Sequence, residues 1–222
     1  MELIQIIRQI TIIAVPILVA VMFHEVAHGF IAKKLGDPTA KMLGRLTLNP
    51  LSHIDILGTI VMPLMLYLFT NGQFIFGYAK PVPINPHNFK NPKRDMAISA
   101  AGGPITNIIL AFISMASLKY IIAPFSDILP IEMSKKILTP LAMMLESSIF
   151  INIILASFNL IPIPPLDGGR ILSGLLPQRY SYLLEKIEPY GMIILIILVL
   201  SGIARYIILP LRALLISLIG MI

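Results

Sequence analysis

The sequence contains no cysteine and little charge, and each shortage excludes a class of structure. Without cysteine there is neither a disulfide framework nor a thiolate metal site, so any metal must be held by His, Asp or Glu. Charged residues make up only 13% of the chain and hydrophobic residues 57%, with a mean hydropathy of +0.88. This composition is typical of an integral membrane protein. We expect the 222 residues to form one membrane domain, 1–222, without a separate soluble domain.

The charge that is present is mainly basic, with 17 Lys and Arg residues against 11 Asp and Glu residues. In a soluble protein such an excess would indicate a nucleic-acid partner. Here the basic residues lie at the ends of apolar runs, mostly within 33–53, 71–96 and 170–186. The preference of Lys and Arg for the cytoplasmic side explains this distribution. The predicted partner is therefore the lipid bilayer and not nucleic acid.

Hydropathy predicts an all-α polytopic membrane protein with a transmembrane core of about four to six segments. Four runs have about the 20 residues that a bilayer requires. These runs are Ile10–Ala32, Ala97–Leu118, Met143–Pro162 and Gly191–Leu209. The C-terminal region, 188–222, is expected to be helical, although its last apolar run, Leu211–Ile222, is too short to assign as a span.

A fifth apolar run, Ile54–Phe69, does not fit this topology, because one crossing would carry the basic stretch after it to the outside. We therefore predict a re-entrant hairpin broken near Pro63, or a crossing whose return is the extended segment 72–87. Aromatic, β-branched and proline residues in Gly72–Val82 predict a small extended or β element near the cytoplasmic side. These features together form an insertion, 45–95, between the parts of the core.

The sequence His24-Glu25-Val26-Ala27-His28 lies within the first predicted span. Ionisable side chains in hydrocarbon are costly and are usually functional. Residues four apart share one face of a helix, so His24 and His28 can hold one Zn²⁺, with Glu25 beside them as a general base. The alternative is a pair of helix-packing histidines, which would leave Glu25 unpaired in the membrane. The spacing therefore favours a zinc site.

A catalytic zinc takes three protein ligands, so a third must come from elsewhere in the chain. His53 and His87 are candidates, but Asp167 is the strongest. The prolines before it end the third span, and Gly168-Gly169 permits a sharp turn that can aim the carboxylate inward. A bound Zn²⁺ would also neutralise two buried carboxylates. The alternative is a solvated Asp167 in an interfacial loop.

The predicted topology brings a further motif to the same depth, near the cytoplasmic face. Gly102-Gly103-Pro104-Ile105-Thr106-Asn107 begins the second span. The amide of Asn107 could hydrogen-bond a substrate backbone or a developing oxyanion, or it could make an interhelical hydrogen bond. His53 begins the ambiguous segment and could be an oxyanion donor, with a structural or interfacial role as the alternative.

Three motifs, HExxH, GPxxN and NxxPxPPLDGG, occur in this order on three spans and resemble those of the site-2 protease family of intramembrane zinc metalloproteases. The resemblance covers the core, 10–32 and 97–175, and is closest to the short prokaryotic members without a PDZ domain. It implies one Zn²⁺ on His24, His28 and Asp167, activation of water by Glu25 and substrate binding by Asn107. It also implies a helical membrane core with a small sheet near the cytoplasmic side.

The predicted function is intramembrane hydrolysis of peptide bonds in or near transmembrane segments of membrane proteins. The active site is expected toward the cytoplasmic face of a prokaryotic plasma (inner) membrane. One alternative is a membrane zinc transporter, which would spread polar residues along a path through the bilayer, whereas this chain concentrates them at one depth. Another is a catalytically silent membrane chaperone, against which the intact Glu25 speaks.

Overall fold

The structure, a computed structural model, describes residues 2–69, 77–202 and 204–220. Its regular elements are helical, and these ranges contain no β-strand. The α-helices are α1 (Glu2–Lys34), α2 (Thr39–Met42), α3 (Met62–Phe69), α4 (Pro92–Ser117), α5 (Ala123–Ile128), α6 (Ile131–Met133), α7 (Thr139–Asn159), α8 (Asp167–Leu175), α9 (Gln178–Ile187), α10 (Gly191–Leu200) and α11 (Ala204–Gly220). Short 3₁₀-helical turns and π-helical turns lie between several of them.

Three helical stretches are long and apolar enough to cross a bilayer, judged by length and composition. They are Ile7–Lys34, Pro92–Ser126 and Ile131–Asn159. In lipid, a backbone finds no water for its N–H and C=O groups, so an apolar run must satisfy them within a helix. The prediction of a helical membrane protein is confirmed. The predicted count of four to six segments is not supported, since three such helices occur in the described residues.

The fourth predicted span, Gly191–Leu209, is wrong as a single helix. α10 ends at Leu200, and a turn at Ser201-Gly202 separates it from α11. Gly202 has a φ of +73°, a left-handed conformation that only glycine adopts at no cost. Hydropathy averaged over the run does not detect this turn, because the residues on both sides are equally apolar.

α4 is the central helix, against which α1, α7 and α8 pack. Small buried residues line these contacts, among them Ala20 on α1, Ala111 on α4 and Ala156 on α7, all fully buried. Small side chains allow helix backbones in a membrane to approach closely. α4 thereby holds the C-terminal half of α1, with His24 and His28, close to the start of α8 at Asp167.

The predicted insertion contains a continuous helix, Ile56–Phe69, formed by a π-helical turn that leads into α3. The predicted break near Pro63 does not occur; the hydrogen-bond pattern changes there from π to α, which accommodates a residue without an N–H. At about 1.5 Å per residue this helix is roughly 21 Å long, short of the ~30 Å hydrocarbon core. The described part, Ile56–Phe69, is therefore too short by itself to cross a bilayer.

The chain returns from this helix to the point where it left. The N–H of Tyr78 donates to the carbonyl of Gly58 at 3.0 Å, and the N–H of Lys80 donates to the carbonyl of His53 at 2.9 Å. Residues 72–76 of the predicted extended element, Gly72–Val82, lie outside the described ranges. The described remainder forms no strand, so the predicted β element is not supported there.

Candidate metal centre

Three ligand-type side chains from two helices converge beside the middle of α4. His24 and His28 lie one turn apart on α1, and Asp167 is the first residue of α8; all three are buried. Asp167 Oδ2 lies 3.1 Å from His24 Nε2 and 3.3 Å from His28 Nε2. The two Nε2 atoms are 3.1 Å apart. The arrangement offers one ligand atom from each residue within a space that fits a single ion, all within 4.8 Å of one another.

Asp167 reaches this cluster because the chain before it folds back closely onto α8. A Cβ atom at Gly168 would lie under 3 Å from the backbone of Leu160 and Ile161, and one at Gly169 would lie equally close to the backbone of Pro164. The glycines are therefore needed for close approach of backbone to backbone, and not for the sharp turn that the sequence suggested. Both glycines belong to the first turn of α8.

The hydrogen bonds of the two histidines define where each imidazole carries its proton. His24 Nδ1 lies 2.6 Å from Asn107 Oδ1, and His28 Nδ1 lies 2.8 Å from the carbonyl oxygen of Ser99. Carbonyl oxygens only accept hydrogen bonds, so each neutral ring donates from Nδ1 and keeps a lone pair on Nε2. Both lone pairs face the carboxylate of Asp167, whose Oδ2 has no hydrogen-bond donor among the described residues.

α4 contributes a stripe of three residues, Ser99, Gly103 and Asn107, spaced four apart on one helix face. Ser99 and Asn107 bond to the two histidines, and Ser99 Oγ also donates to the carbonyl of His28 at 2.9 Å. A Cβ atom at Gly103 would lie under 3 Å from both imidazole rings. The absence of a side chain at this position therefore leaves room for the rings to lie edge to face, with centroids 4.6 Å apart.

Glu25 is half-buried and is held from outside the helical core. Its Oε2 accepts a hydrogen bond from the N–H of Val82 at 2.8 Å. Val82 lies between Pro81 and Pro83, so it carries the only N–H in this tripeptide. Its side chain is buried against α1 at Gly29. The sequence did not reveal this contact, because a backbone donor has no signature in the residue type.

Comparisons with known proteins agree with this geometry. A family model described as peptidase family M50 matches residues 12–202. The chain belongs to peptidase family M50. This is the site-2 protease family that the sequence motifs resemble.

Several relatives of this M50 chain are named as zinc metalloproteases. YwhC of Bacillus subtilis is 36% identical over 198 residues, which cover 89% of this chain and 84% of YwhC. Rip2 of Mycobacterium tuberculosis is 27% identical over 83% of this chain and 64% of Rip2. MJ0392 of Methanocaldococcus jannaschii is 26% identical over 74% of this chain and 34% of its own length. No solved structure matches the chain.

The cofactor of this M50 chain is Zn²⁺, and the cluster has the chemistry to hold it. Two imidazole lone pairs and a carboxylate oxygen are ligands that zinc prefers. Without a cation, three hydrogen-bond acceptors would face one another in a buried space, and Asp167 Oδ2 would remain unpaired there. With a metal bound here, the Nδ1 partners of His24 and His28 would be the outer-shell contacts that fix the tautomer of each histidine.

The side chain of Asn107 makes interhelical hydrogen bonds in this structure, and its role in substrate or oxyanion binding stays a prediction. Its side chain is fully buried, and Oδ1 is occupied by His24. Its Nδ2 donates to the carbonyl of Ala20 at 3.2 Å and to Asn152 Oδ1 at 2.7 Å, so both amide hydrogens are used. The interhelical alternative fits this M50 chain, and Asn152 is a partner that the sequence reasoning missed.

The remaining histidines lie outside the metal cluster of the M50 chain. His53 is buried, and its Nε2 donates to the carbonyl of Thr47 at 2.9 Å. Its Nδ1 has no partner among the described residues, and its role as an oxyanion donor stays a prediction. His87 is exposed, so neither histidine is the third member that the sequence considered beside Asp167.

Asp37 fastens the end of the insertion to the end of α1. Its fully buried carboxylate accepts hydrogen bonds from the hydroxyl and N–H of Thr39, the N–H of Asn85 and the side-chain amide of Asn88. Burial alone would raise the pKa of the Asp37 carboxyl, but the bonds from Asn88, Thr39 and Asn85 outweigh it and hold this pKa below its usual range. The segment that carries Val82 is therefore anchored at two points, Glu25 on α1 and Asp37 just after α1.

Proposed function

We propose that this chain is an intramembrane zinc endopeptidase that hydrolyses peptide bonds in or near transmembrane segments of membrane proteins. The observation that carries the proposal is the convergence of His24 Nε2, His28 Nε2 and Asp167 Oδ2 inside a helix bundle long and apolar enough to cross a bilayer. These three side chains would hold one Zn²⁺, and Glu25, next to His24 on α1, would be the general base.

Glu25 has one carboxylate oxygen fixed and the other available. Oε2 accepts the N–H of Val82, which orients the carboxylate and leaves Oε1 for proton transfer. When bound, Zn²⁺ would polarise the scissile carbonyl and make water acidic enough to ionise at about pH 7. Glu25 would take a proton from the attacking water as its oxygen bonds to the carbonyl carbon, and would return that proton to the amine when the C–N bond breaks.

The membrane orientation of this site follows from the basic residues beside it. Lys33 and Lys34 end α1, ten residues after His24, so the cluster would lie about 15 Å from that end of the helix. Lys and Arg concentrate on the cytoplasmic side of membrane proteins. We infer that the active site opens toward the cytoplasmic face of a prokaryotic plasma membrane and acts on the part of a substrate helix near that face.

The variant Glu25→Gln tests the proposal, because it keeps the metal-binding side chains and removes the base. Membranes with wild-type protein and with the variant are compared by quantitative mass spectrometry, and the zinc content of both purified proteins is measured. We expect about one zinc per chain in both. Substrates should accumulate in membranes with the variant. The variant should cleave them roughly 10²–10⁴-fold more slowly than wild type does.

Other outcomes of this experiment separate the alternatives. Cleavage that persists in Glu25→Gln would refute the assigned base. If the wild-type protein binds zinc but cleaves no membrane protein, the chain would be a silent chaperone. Movement of zinc into liposomes that contain the wild-type protein would point to a transporter.

A further inference from the structure

The hydrogen bonds that hold His24 continue past Asn107 into α7. Asn152, which is 1% exposed, accepts from Asn107 through Oδ1 and donates from Nδ2 to the carbonyl of Ser148 at 2.8 Å. A second, longer contact joins Asn152 Nδ2 to Ser148 Oγ at 3.2 Å. One buried chain of hydrogen bonds therefore runs from α7 through α4 to the imidazole of His24 on α1.

The direction of every bond in this chain is determined by backbone carbonyls, which can only accept. The carbonyl of Ser148 requires the amide nitrogen of Asn152, so the oxygen of Asn152 faces Asn107. Asn107 must then present its nitrogen to Asn152 and to the carbonyl of Ala20, so its oxygen faces His24. His24 must therefore donate from Nδ1, which leaves the lone pair of Nε2 directed at Asp167.

We propose that Asn152 is a positioning residue of the metal centre, which acts through Asn107 to set the tautomer and ring orientation of His24. The inference rests on the proposed function, in which His24 is a zinc ligand. With its proton on Nε2, a neutral imidazole cannot bind metal through that atom. Asn152 prevents this state because it uses the amide hydrogen of Asn107 and keeps the Asn107 oxygen turned toward His24.

The two histidines differ in the kind of group that accepts the hydrogen bond from Nδ1, and therefore in whether a side-chain substitution can change it. His28 donates to the backbone carbonyl of Ser99, which no side-chain substitution removes. His24 depends on the side-chain oxygen of Asn107. The orientation of that amide depends in turn on two acceptors of its N–H groups, Asn152 Oδ1 at 2.7 Å and, at the longer distance of 3.2 Å, the carbonyl of Ala20. Loss of an outer-shell partner of a metal-binding histidine typically lowers metal affinity 10- to 100-fold. We expect an effect of this size at Asn152, although it lies two hydrogen bonds away from His24 Nδ1.

If Asn152 only joined α4 to α7, removal of any other hydrogen bond between these helices should lower zinc affinity to a similar degree. Ser148→Ala is the matched control for this alternative. Ser148 Oγ makes another, partly buried bond across the same interface, accepting from Ser114 Oγ at 2.9 Å. Its removal weakens the contact between α4 and α7 but leaves the carbonyl of Ser148 in place for Asn152. The control therefore breaks an interhelical hydrogen bond and the longer contact from Asn152 Nδ2, while the amide of Asn152 keeps its shorter bond to the carbonyl of Ser148.

The experiment measures zinc affinity in detergent by competition with a chromogenic chelator, together with the absorption spectrum of the Co²⁺-substituted protein. Asn152→Leu should lower zinc affinity 10- to 100-fold and alter the Co²⁺ spectrum. Asn152→Asp retains an acceptor for Asn107 and should stay within about tenfold of wild type. Ser148→Ala should bind zinc like wild type. If the leucine variant does not fold, Asn152→Ala carries the same test.

Two results would overturn the proposal: wild-type affinity in Asn152→Leu, or equal losses of affinity in Asn152→Leu and Ser148→Ala. A different failure marks the proposed function itself. If wild-type protein binds no zinc, or if His24→Ala binds zinc as tightly as wild type, the assigned ligand set is wrong. Normal wild-type zinc binding with an unaffected Asn152→Leu variant would reject only the positioning role.

Discussion

The two parts of the candidate active site are held in different ways. The metal cluster is buried within the packed helices α1, α4 and α8, and each histidine has a second hydrogen bond from its Nδ1 to α4. Glu25 lies on the same helix, yet a single backbone N–H from the insertion between α1 and α4 holds it. Metal binding would therefore depend on the core, and proton transfer on the insertion. Substitutions in the two regions should separate zinc content from turnover.

The largest expected effect is the loss of zinc on removal of the carboxylate charge at Asp167. Asp167→Asn keeps the shape of the side chain but removes the anionic ligand, so zinc affinity should fall by more than the 10- to 100-fold typical of an outer-shell loss. Zinc content by mass spectrometry and chelator competition measure this change. Asp95→Asn is the matched control, because Asp95 is a buried acid on α4 that pairs with Arg94 and lies outside the cluster.

Gly103→Ala tests whether the core depends on the space beside the imidazoles. The added methyl group would lie under 3 Å from both rings, so we expect zinc binding to fall at least tenfold and turnover to fall with it. At Gly102 the methyl group would meet mainly the flexible end of Ile31, which can move aside. Gly102→Ala should therefore retain more zinc than Gly103→Ala. Equal losses in the two variants would argue against close contact at Gly103.

Val82→Pro should remove the contact between the insertion and Glu25 and leave the metal cluster in the core intact. Proline deletes the N–H that Glu25 accepts, while Val82→Ala keeps it and loses only side-chain packing. A hydrogen bond to a charged group contributes about 1.5–3 kcal/mol, so kcat should fall roughly tenfold or more in the proline variant at unchanged zinc content. Unequal zinc content would show that the two regions are coupled. Equal activity of the proline and alanine variants would show that the N–H of Val82 does not orient Glu25.

The smallest expected effect concerns Asp37, which fastens the insertion to α1. Its folded-state pKa is depressed, so its contribution to stability is complete above the unfolded value of about 3.9 and is lost as pH falls through the folded value. Asp37→Asn should lower Tm at neutral pH by about 2–4 °C and make Tm less dependent on pH in the acid range. Thermal unfolding in detergent at a series of pH values measures both. A steeper acid dependence in the variant would contradict the assignment.

The sequence identified the metal cluster because its signals are local. The spacing of His24 and His28 defines one helix face, and the proline and glycine residues around Asp167 mark the end of a span. The partners of these residues were harder to predict. Asn152 reads only as one polar residue in an apolar helix, and the bond from Val82 to Glu25 is made by a backbone group. The break at Gly202 depends on a dihedral angle that hydropathy does not report.

The stripe of Ser99, Gly103 and Asn107 means that α4 acts as a template for a site to which it gives no ligand atom. Each residue of a helix is rotated about 100° from the one before it. Insertion of one alanine before Ser99, with the part of α4 that precedes it kept in place, would turn all three residues away from α1 together. Metal binding thus depends on the register between α4 and α1. A shift of α4 along α1 should lower the zinc content of the protein.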